Sequence, residues 1–262
     1  MKPVFLAVPL LLFAGDAFAW GLQTHLFFAQ QVLFAVPLLD PEIRRAALRF
    51  PRLVLAGACL PDLALAGGAL GVHLFRSTHQ WRTLRRLAAA NSDEERAVAL
   101  GYASHLMSDV VAHNRFVPEH ERRVADVAHA THALCEWAMD DYLKPWVCAA
   151  PGELLAAERR PLADIVARRW RCGEPLALRL IDWLSGADRL LRASRLPRAC
   201  RAVLRFLDRS LAPRFDGYVR ETSALLAQVG SVLEGRQPAA EPEPGHPCAS
   251  WGAGKLLPQP PL

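Results

Sequence analysis

The stretch Gly101–Asn114, GYASHLMSDVVAHN, constrains this chain more than any other, because it sets His105, Asp109 and His113 four residues apart inside an otherwise apolar run. Just upstream, Ser92 and Glu95 form an S-x-x-E capping box, so a helix is expected to begin near Asp93 and run past His113. At roughly 3.6 residues per turn, positions i, i+4 and i+8 share one face and drift by only about 40°. Two imidazoles and a carboxylate on a buried face are costly unless something satisfies them. Either they are hydrogen-bonded core groups, or they bind a divalent metal, for which neutral imidazole and ionised carboxylate are good ligands. The helical rise puts His105 and His113 ~12 Å apart, too far to share one ion comfortably. Asp109 stands between them with two oxygens, so the spacing favours more than one metal.

The remainder of the chain has the means to bury such a face. Its 262 residues, 52% hydrophobic and 22% charged, suit one large or two small folded domains with a sizeable core. Residues 1–19, MKPVFLAVPLLLFAGDAFA, have the pattern of a secretory signal: Lys2, an apolar run from Val4 to Ala14, and an A-x-A site at Ala17–Ala19. That run is too short to span a bilayer comfortably. Cleavage after Ala19 leaves Trp20 as the amino terminus and implies a periplasmic or secreted protein. It removes one basic and one acidic residue, Lys2 and Asp16, so the formal net charge of +5 persists. Mild basicity favours anionic partners, phospholipid headgroups or nucleic acid, without choosing between them. The six cysteines (59, 135, 148, 172, 200 and 248) include no C-x-x-C pair, which argues against a cysteine-based zinc site.

Hydrophobic periodicity predicts an all-α chain, with no alternating stretch of useful length for a strand. Helices are expected over Trp20–Val36, from Pro41 to Arg49, over Arg76–Ala90, along the His105 stretch, and from about Glu119 to Tyr142. Val54–Asp62 reads as an apolar segment closed by a Leu-Pro-Asp turn, and the glycines at 67, 68 and 71 extend a loop-rich region. The resulting plan is a helical domain over 20–235, with a metal-site half at 20–146 and further amphipathic helices at 151–235. In those helices Trp170, Trp183, Leu190 and Phe206 are the expected core, with arginines outward. Residues 236–262, rich in proline, are expected to be a disordered tail.

Metal-competent residues recur in separated segments: Trp20 as a free amino terminus, His25, Asp62, His79, His105, Asp109, His113, His132 and Glu136. His132 and Glu136 share a face as H-x3-E, and His129 lies three residues earlier on the same expected helix. The motifs W-G-L-Q-T-H at 20–25, A-G-A-C-L-P-D at 56–62, S-T-H-Q-W at 77–81, G-Y-A-S-H-L-M-S-D-V-V-A-H at 101–113 and H-x3-E at 132–136 occur in one order. In them the chain resembles the zinc-dependent phospholipase C family, especially its glycosylphosphatidylinositol-specific phospholipase D-like members.

The resemblance implies an all-helical fold holding three Zn2+ ions. In it Asp62, His79, His105 and Asp109 match the ligands of a first zinc. The amino group and carbonyl of Trp20, with His25 and a shared Asp109, match a second, and His113, His132 and Glu136 a third. Asp62 could also act as a base or orient the nucleophile. The implied activity is hydrolysis of a phosphodiester in a phospholipid headgroup, with transient contact at a membrane surface. Bacillary and clostridial phospholipases C have a longer step after the central aspartate, whereas the phospholipase D-like members share the four-residue step. The sequence has no counterpart to the latter's C-terminal β-propeller, so the position of cleavage stays open. A nuclease or 3′-nucleotidase of the same fold, or a metal-binding protein without turnover, are the alternatives. Asp140 and Asp141 are candidate acceptors behind a ligating imidazole, or a solvated helix end.

Overall fold

The computed structural model describes residues 21–124 and 128–242, with side chains outside 122–131. Among the described residues there is no strand; the chain is all-α. Helix α1 spans Leu22–Phe34, α2 Pro41–Arg49, α3 Pro51–Gly57, α4 Leu63–Ala69 and α5 Trp81–Ala88. These surround α6, Asp93–Val111, which continues through a π-turn at Ala112–Phe116 into α7, Val117–Val124. Then come α8 (Ala128–Leu143), α9 (Pro151–Ala157), α10 (Arg159–Trp170), α11 (Glu174–Ala193), α12 (Leu196–Leu207), α13 (Leu211–Leu226) and α14 (Val229–Leu233).

Helix α6 is the axis of the molecule, with α1, α2, α3, α5, α13 and α14 packed against it. From Ala97 to Val111 every residue is buried, so the helix is apolar almost all round, as a central element must be. Its start is the one the capping box predicts: the Ser92 hydroxyl accepts from the Glu95 amide at 3.2 Å, and Glu95 in turn accepts from the Asn91 amide at 2.9 Å. Helix α2 opens at Pro41 as expected, with the Asp40 carboxylate capping the Glu42 amide at 2.8 Å.

Where α3 crosses α6, the two backbones nearly touch. A Cβ on Gly101 would lie 1.8 Å from the Val54 carbonyl oxygen, so only glycine admits this approach. The remaining helices complete the same core: α9 and α10 pack on α11, α12 lies along α8, and one hydrophobic cluster runs through both halves.

Several sequence expectations need correction. Gly67 and Gly68 lie inside α4 rather than in a loop. Helix α5 begins only at Trp81, because 73–75 forms a short 3-10 segment followed by turns that carry His79. The expected loop through Pro118 is helical, since α7 begins at Val117, and the helix expected from about Glu119 or later to Tyr142 corresponds to α7 and α8, with 125–127 outside the described residues. His113 falls in the π-turn, beyond the end of α6. Leu190 and Phe206, expected in the core, are exposed, Phe206 at 87%. Of the proline-rich tail expected over 236–262, residues 236–242 are described and held to the body, the Trp81 indole donating to the Ala240 carbonyl at 3.1 Å and Asn114 to that of Glu241 at 3.0 Å, while 243–262 lie outside the described residues. No helix among the described residues is long and apolar enough to cross a membrane.

Candidate metal centre

Four chain segments bring polar side chains into the apolar interior at one place. From α6 come His105 and Asp109, both fully buried, one turn apart, with His105 Nε2 3.0 Å from Asp109 Oδ2. The first turn of α1 supplies His25, whose Nε2 lies 3.4 Å from Asp109 Oδ1 and whose ring stacks on His105 with centroids 3.5 Å apart. The turn before α5 supplies His79, its Nε2 3.2 Å from that of His105 and 3.8 Å from Asp109 Oδ2. The turn leading into α4 supplies Asp62, with Oδ1 3.5 Å from His79 Nε2. Two tight groups of donors result, His25–His105–Asp109 and Asp62–His79–His105, the atoms of each within 4.8 Å of one another.

The outward nitrogens show what each ring presents inward. His105 Nδ1 lies 2.7 Å from the Ala58 carbonyl, which can only accept, so Nδ1 carries the proton and Nε2 turns its lone pair to the cluster. The Gly101 crossing allows this carbonyl to come so near. Ser108 donates its hydroxyl proton to the His105 carbonyl at 2.7 Å and therefore accepts from His25 Nδ1 at 2.9 Å. His25 Nε2 then faces Asp109 as a lone pair as well.

Further tethers hold the two turns. The Thr78 hydroxyl donates to the Pro61 carbonyl at 2.6 Å, and the Tyr102 hydroxyl, one turn before His105, donates to the Thr78 carbonyl. Asp62 and His79, which flank this link, are thereby fixed relative to α6.

Beside these groups, α8 contributes His132 and Glu136, with His132 Nε2 2.6 Å from Glu136 Oε1. His113 lies next to His132, ring centroids 5.4 Å apart. The three are neighbours, but they do not form a tight donor group of the kind seen twice around His105. Trp20 lies outside the described residues.

Burial dominates the electrostatics of the cluster. Burial pushes the Asp109 carboxyl above its ordinary range despite the nearness of His105 and His79. Burial, reinforced by Asp62, Asp109 and Asp140, raises Glu136 well above its own. His113 is held well below the usual imidazole value by burial first, then by His132, His79 and His105. Among the described residues no hydroxyl, amide or backbone N–H donates to Asp109 or Glu136, and their near neighbours are imidazole nitrogens. Buried carboxylates set among imidazoles in this way are suited to a cation. The nitrogen and oxygen donors, with no thiolate, fit zinc.

Asp140 is the supporting residue whose role spacing alone does not assign. It is fully buried, accepts from the Thr24 amide at 2.9 Å and hydroxyl at 2.8 Å, and lies 3.4 Å from Arg192, which also pairs with Asp188 at 2.6 Å. Gly21, at the N-cap of α1, offers no side chain. Asp140 thus caps α1 from another helix, one residue before His25. Its sequence signal was its position four residues after Glu136.

A helical bundle enclosing His/Asp groups of this kind is that of a metal-binding protein, with donors converging in the core from facing elements. The family model described as "Zinc dependent phospholipase C" matches residues 24–168. The chain belongs to the zinc-dependent phospholipase C family. No curated protein and no solved structure matches it.

Proposed function

We propose that this protein is an exported zinc-dependent phosphodiesterase that hydrolyses phospholipid headgroups. The observation that carries the reading is the convergence of His25, His79, His105, Asp62 and Asp109 in one buried cluster, with no hydroxyl, amide or backbone donor among the described residues on either Asp109 oxygen.

His105 stands in both tight groups and Asp109 faces His25 with one oxygen and His79 and His105 with the other, so these residues would hold more than one ion. In this reading His113, His132 and Glu136 would supply a third position, and the Trp20 amine, once freed by cleavage after Ala19, would join the ligands around His25. When bound, zinc supplies Lewis-acid polarisation of the phosphoryl oxygens and lowers the pKa of water into the neutral range. Asp62 accepts the proton of the attacking water through its carboxylate and orients that water toward phosphorus. As the new P–O bond forms, the P–O bond to the leaving group breaks, and its oxygen takes up the proton lost by the water and departs as an alcohol. The acidic groups are themselves buried, Asp109 fully and Asp62 to 4% exposure, so charge interactions among them are strengthened by the loss of bulk water.

The test is metal analysis and hydrolysis of phosphatidylcholine, phosphatidylinositol and single-stranded DNA by the exported protein, with and without chelator. Chelator-sensitive release of a phosphorylated headgroup is expected. Substituting Asp109→Asn should lower zinc content and reduce turnover by a factor of about 100 or more, several kcal/mol of transition-state stabilisation. Nucleotide release from DNA in place of headgroup release would replace the lipid reading. Bound zinc with no turnover on any of the three would remove the enzymatic one.

A further inference from the structure

Helix α12 is apolar on both sides. Pro197, Cys200 and Leu204 are buried and face inward, and α12 packs along α8, the helix that carries His132 and Glu136. On the outer side, Ala199, Ala202, Val203 and Phe206 recur at i, i+3, i+4 and i+7, and all four are exposed. Phe206 is 87% exposed, and Leu207 beside it 56%. An outward stripe of this kind on a folded helix has no place in an isolated soluble molecule unless something covers it.

The charges around the stripe identify the cover. Arg198 and Arg205 lie along one flank of it, and Arg195 and Arg209 bracket its two ends; all four are exposed. No carboxylate among the described residues pairs with any of them, while the inward-leaning Arg201 pairs with Asp141 at 3.2 Å and sits over the Tyr142 ring. An apolar strip fringed by unneutralised arginines complements a surface that is anionic outside and apolar just beneath, which is an anionic phospholipid bilayer. A second copy of the chain would set arginines against arginines.

We infer that the outer face of α12 is a membrane-docking surface that lies flat in the headgroup layer of anionic bilayers, with Val203 and Phe206 inserted and the arginines on lipid phosphates. The helix is one layer from the metal cluster, so docking there would bring substrate-bearing lipid to the side of α8. The inference rests on the lipid reading for its purpose but not for its test.

Co-sedimentation with vesicles of phosphatidylcholine alone, and of phosphatidylcholine and phosphatidylglycerol in equal parts, measures docking. A soluble short-chain phospholipid below its micellar concentration measures the active site separately. Wild-type protein is expected to bind the anionic vesicles and to be released by salt. Phe206→Asp should weaken binding about tenfold or more, the scale set by withdrawing one aromatic side chain from the apolar layer. Arg205→Glu with Arg209→Glu should weaken it by roughly fivefold per charge, with hydrolysis of the soluble lipid unchanged in all variants. Since Phe206 stands in solvent, its substitution leaves the melting temperature where it was. Absence of wild-type binding to anionic vesicles, equal binding by the variants, or a wild-type dimer that Phe206→Asp converts to monomer would each overturn the assignment. Vesicle binding that follows these rules without lipid hydrolysis would leave the docking surface standing and sink the phospholipase reading.

Discussion

His25 does its work because of residues that are not themselves donors to the cluster. Its ring is turned by Ser108, its helix start is capped by Asp140 from α8, and its chain entry depends on Gly21. A Cβ on Gly21 would sit 2.4 Å from Asp140 Oδ2, inside any permissible contact. Gly21→Ala is therefore expected to displace the Asp140 carboxylate or the first turn of α1. The predicted result is a loss of about 1–3 kcal/mol in stability together with reduced zinc occupancy, read by thermal melting and metal analysis. An alanine variant with unchanged zinc content and melting would refute the role given to this contact. The motif W-G-L-Q-T-H contains both a cluster histidine and its supports, since Thr24 bonds to Asp140, Gly21 leaves room for it and His25 faces the cluster. Sequence spacing exposes the histidine and leaves the purpose of its neighbours to the fold.

At the scale of one element, α6 illustrates how a helix start far from the chemistry fixes it. Glu95 is buried, closes the capping box through Asn91, and is gripped by Arg169 at 2.5 Å and Arg168 at 3.3 Å from α10. Burial opposes its ionisation, yet the Asn91 amide and the two arginines more than offset this, so its carboxyl is held below the ordinary value of 4.5. A carboxyl lowered in the folded state contributes stability that is present above the unfolded pKa and is lost as pH falls through the folded one. Glu95→Gln should therefore cost about 1.5–3 kcal/mol near neutral pH, the scale of hydrogen bonds to a buried charged group. The gap to wild type should close as pH drops below 4.5 in chemical-denaturation curves. A gap that stays constant across that range would contradict the ionic account. The other end of α6 departs from what its spacing suggests. The four-residue steps predict one continuous face, whereas the π-turn takes His113 off that face toward His132, where the ring pair is found.

Considered whole, the molecule stores unfavourable electrostatics in its core. Asp109, Glu136 and Asp140 all lie buried near one another and all are raised in pKa by burial. Ions that bind only the folded chain reverse this cost and stabilise it by mass action. With zinc a hundredfold above its dissociation constant the gain is about 2.7 kcal/mol, so chelation should lower the melting temperature by about 5–10 °C. Scanning calorimetry of the chelated and zinc-repleted protein checks this, and identical traces would mean that the cluster holds no ion. The arginine-rich second half belongs to the same calculation, since Arg192 of α11 neutralises part of that charge through Asp140 and Asp188.

The sequence alone determined the class of the fold, the limits of α2, the cap of α6 and the presence of metal-competent residues, five of which (His25, Asp62, His79, His105 and Asp109) the structure brings together. These follow from local rules: propensity, capping geometry, and period-3.6 patterning act within a turn or two of chain. It did not determine that Ala58 and Ser108 would set the tautomers of His105 and His25, that Asp140 would cap α1 from a distance of 116 residues, or that Phe206 would face solvent. Those depend on which helices lie side by side. Such neighbours are chosen by close approaches such as Gly101 on Val54, where a fraction of an ångström decides whether two backbones can touch.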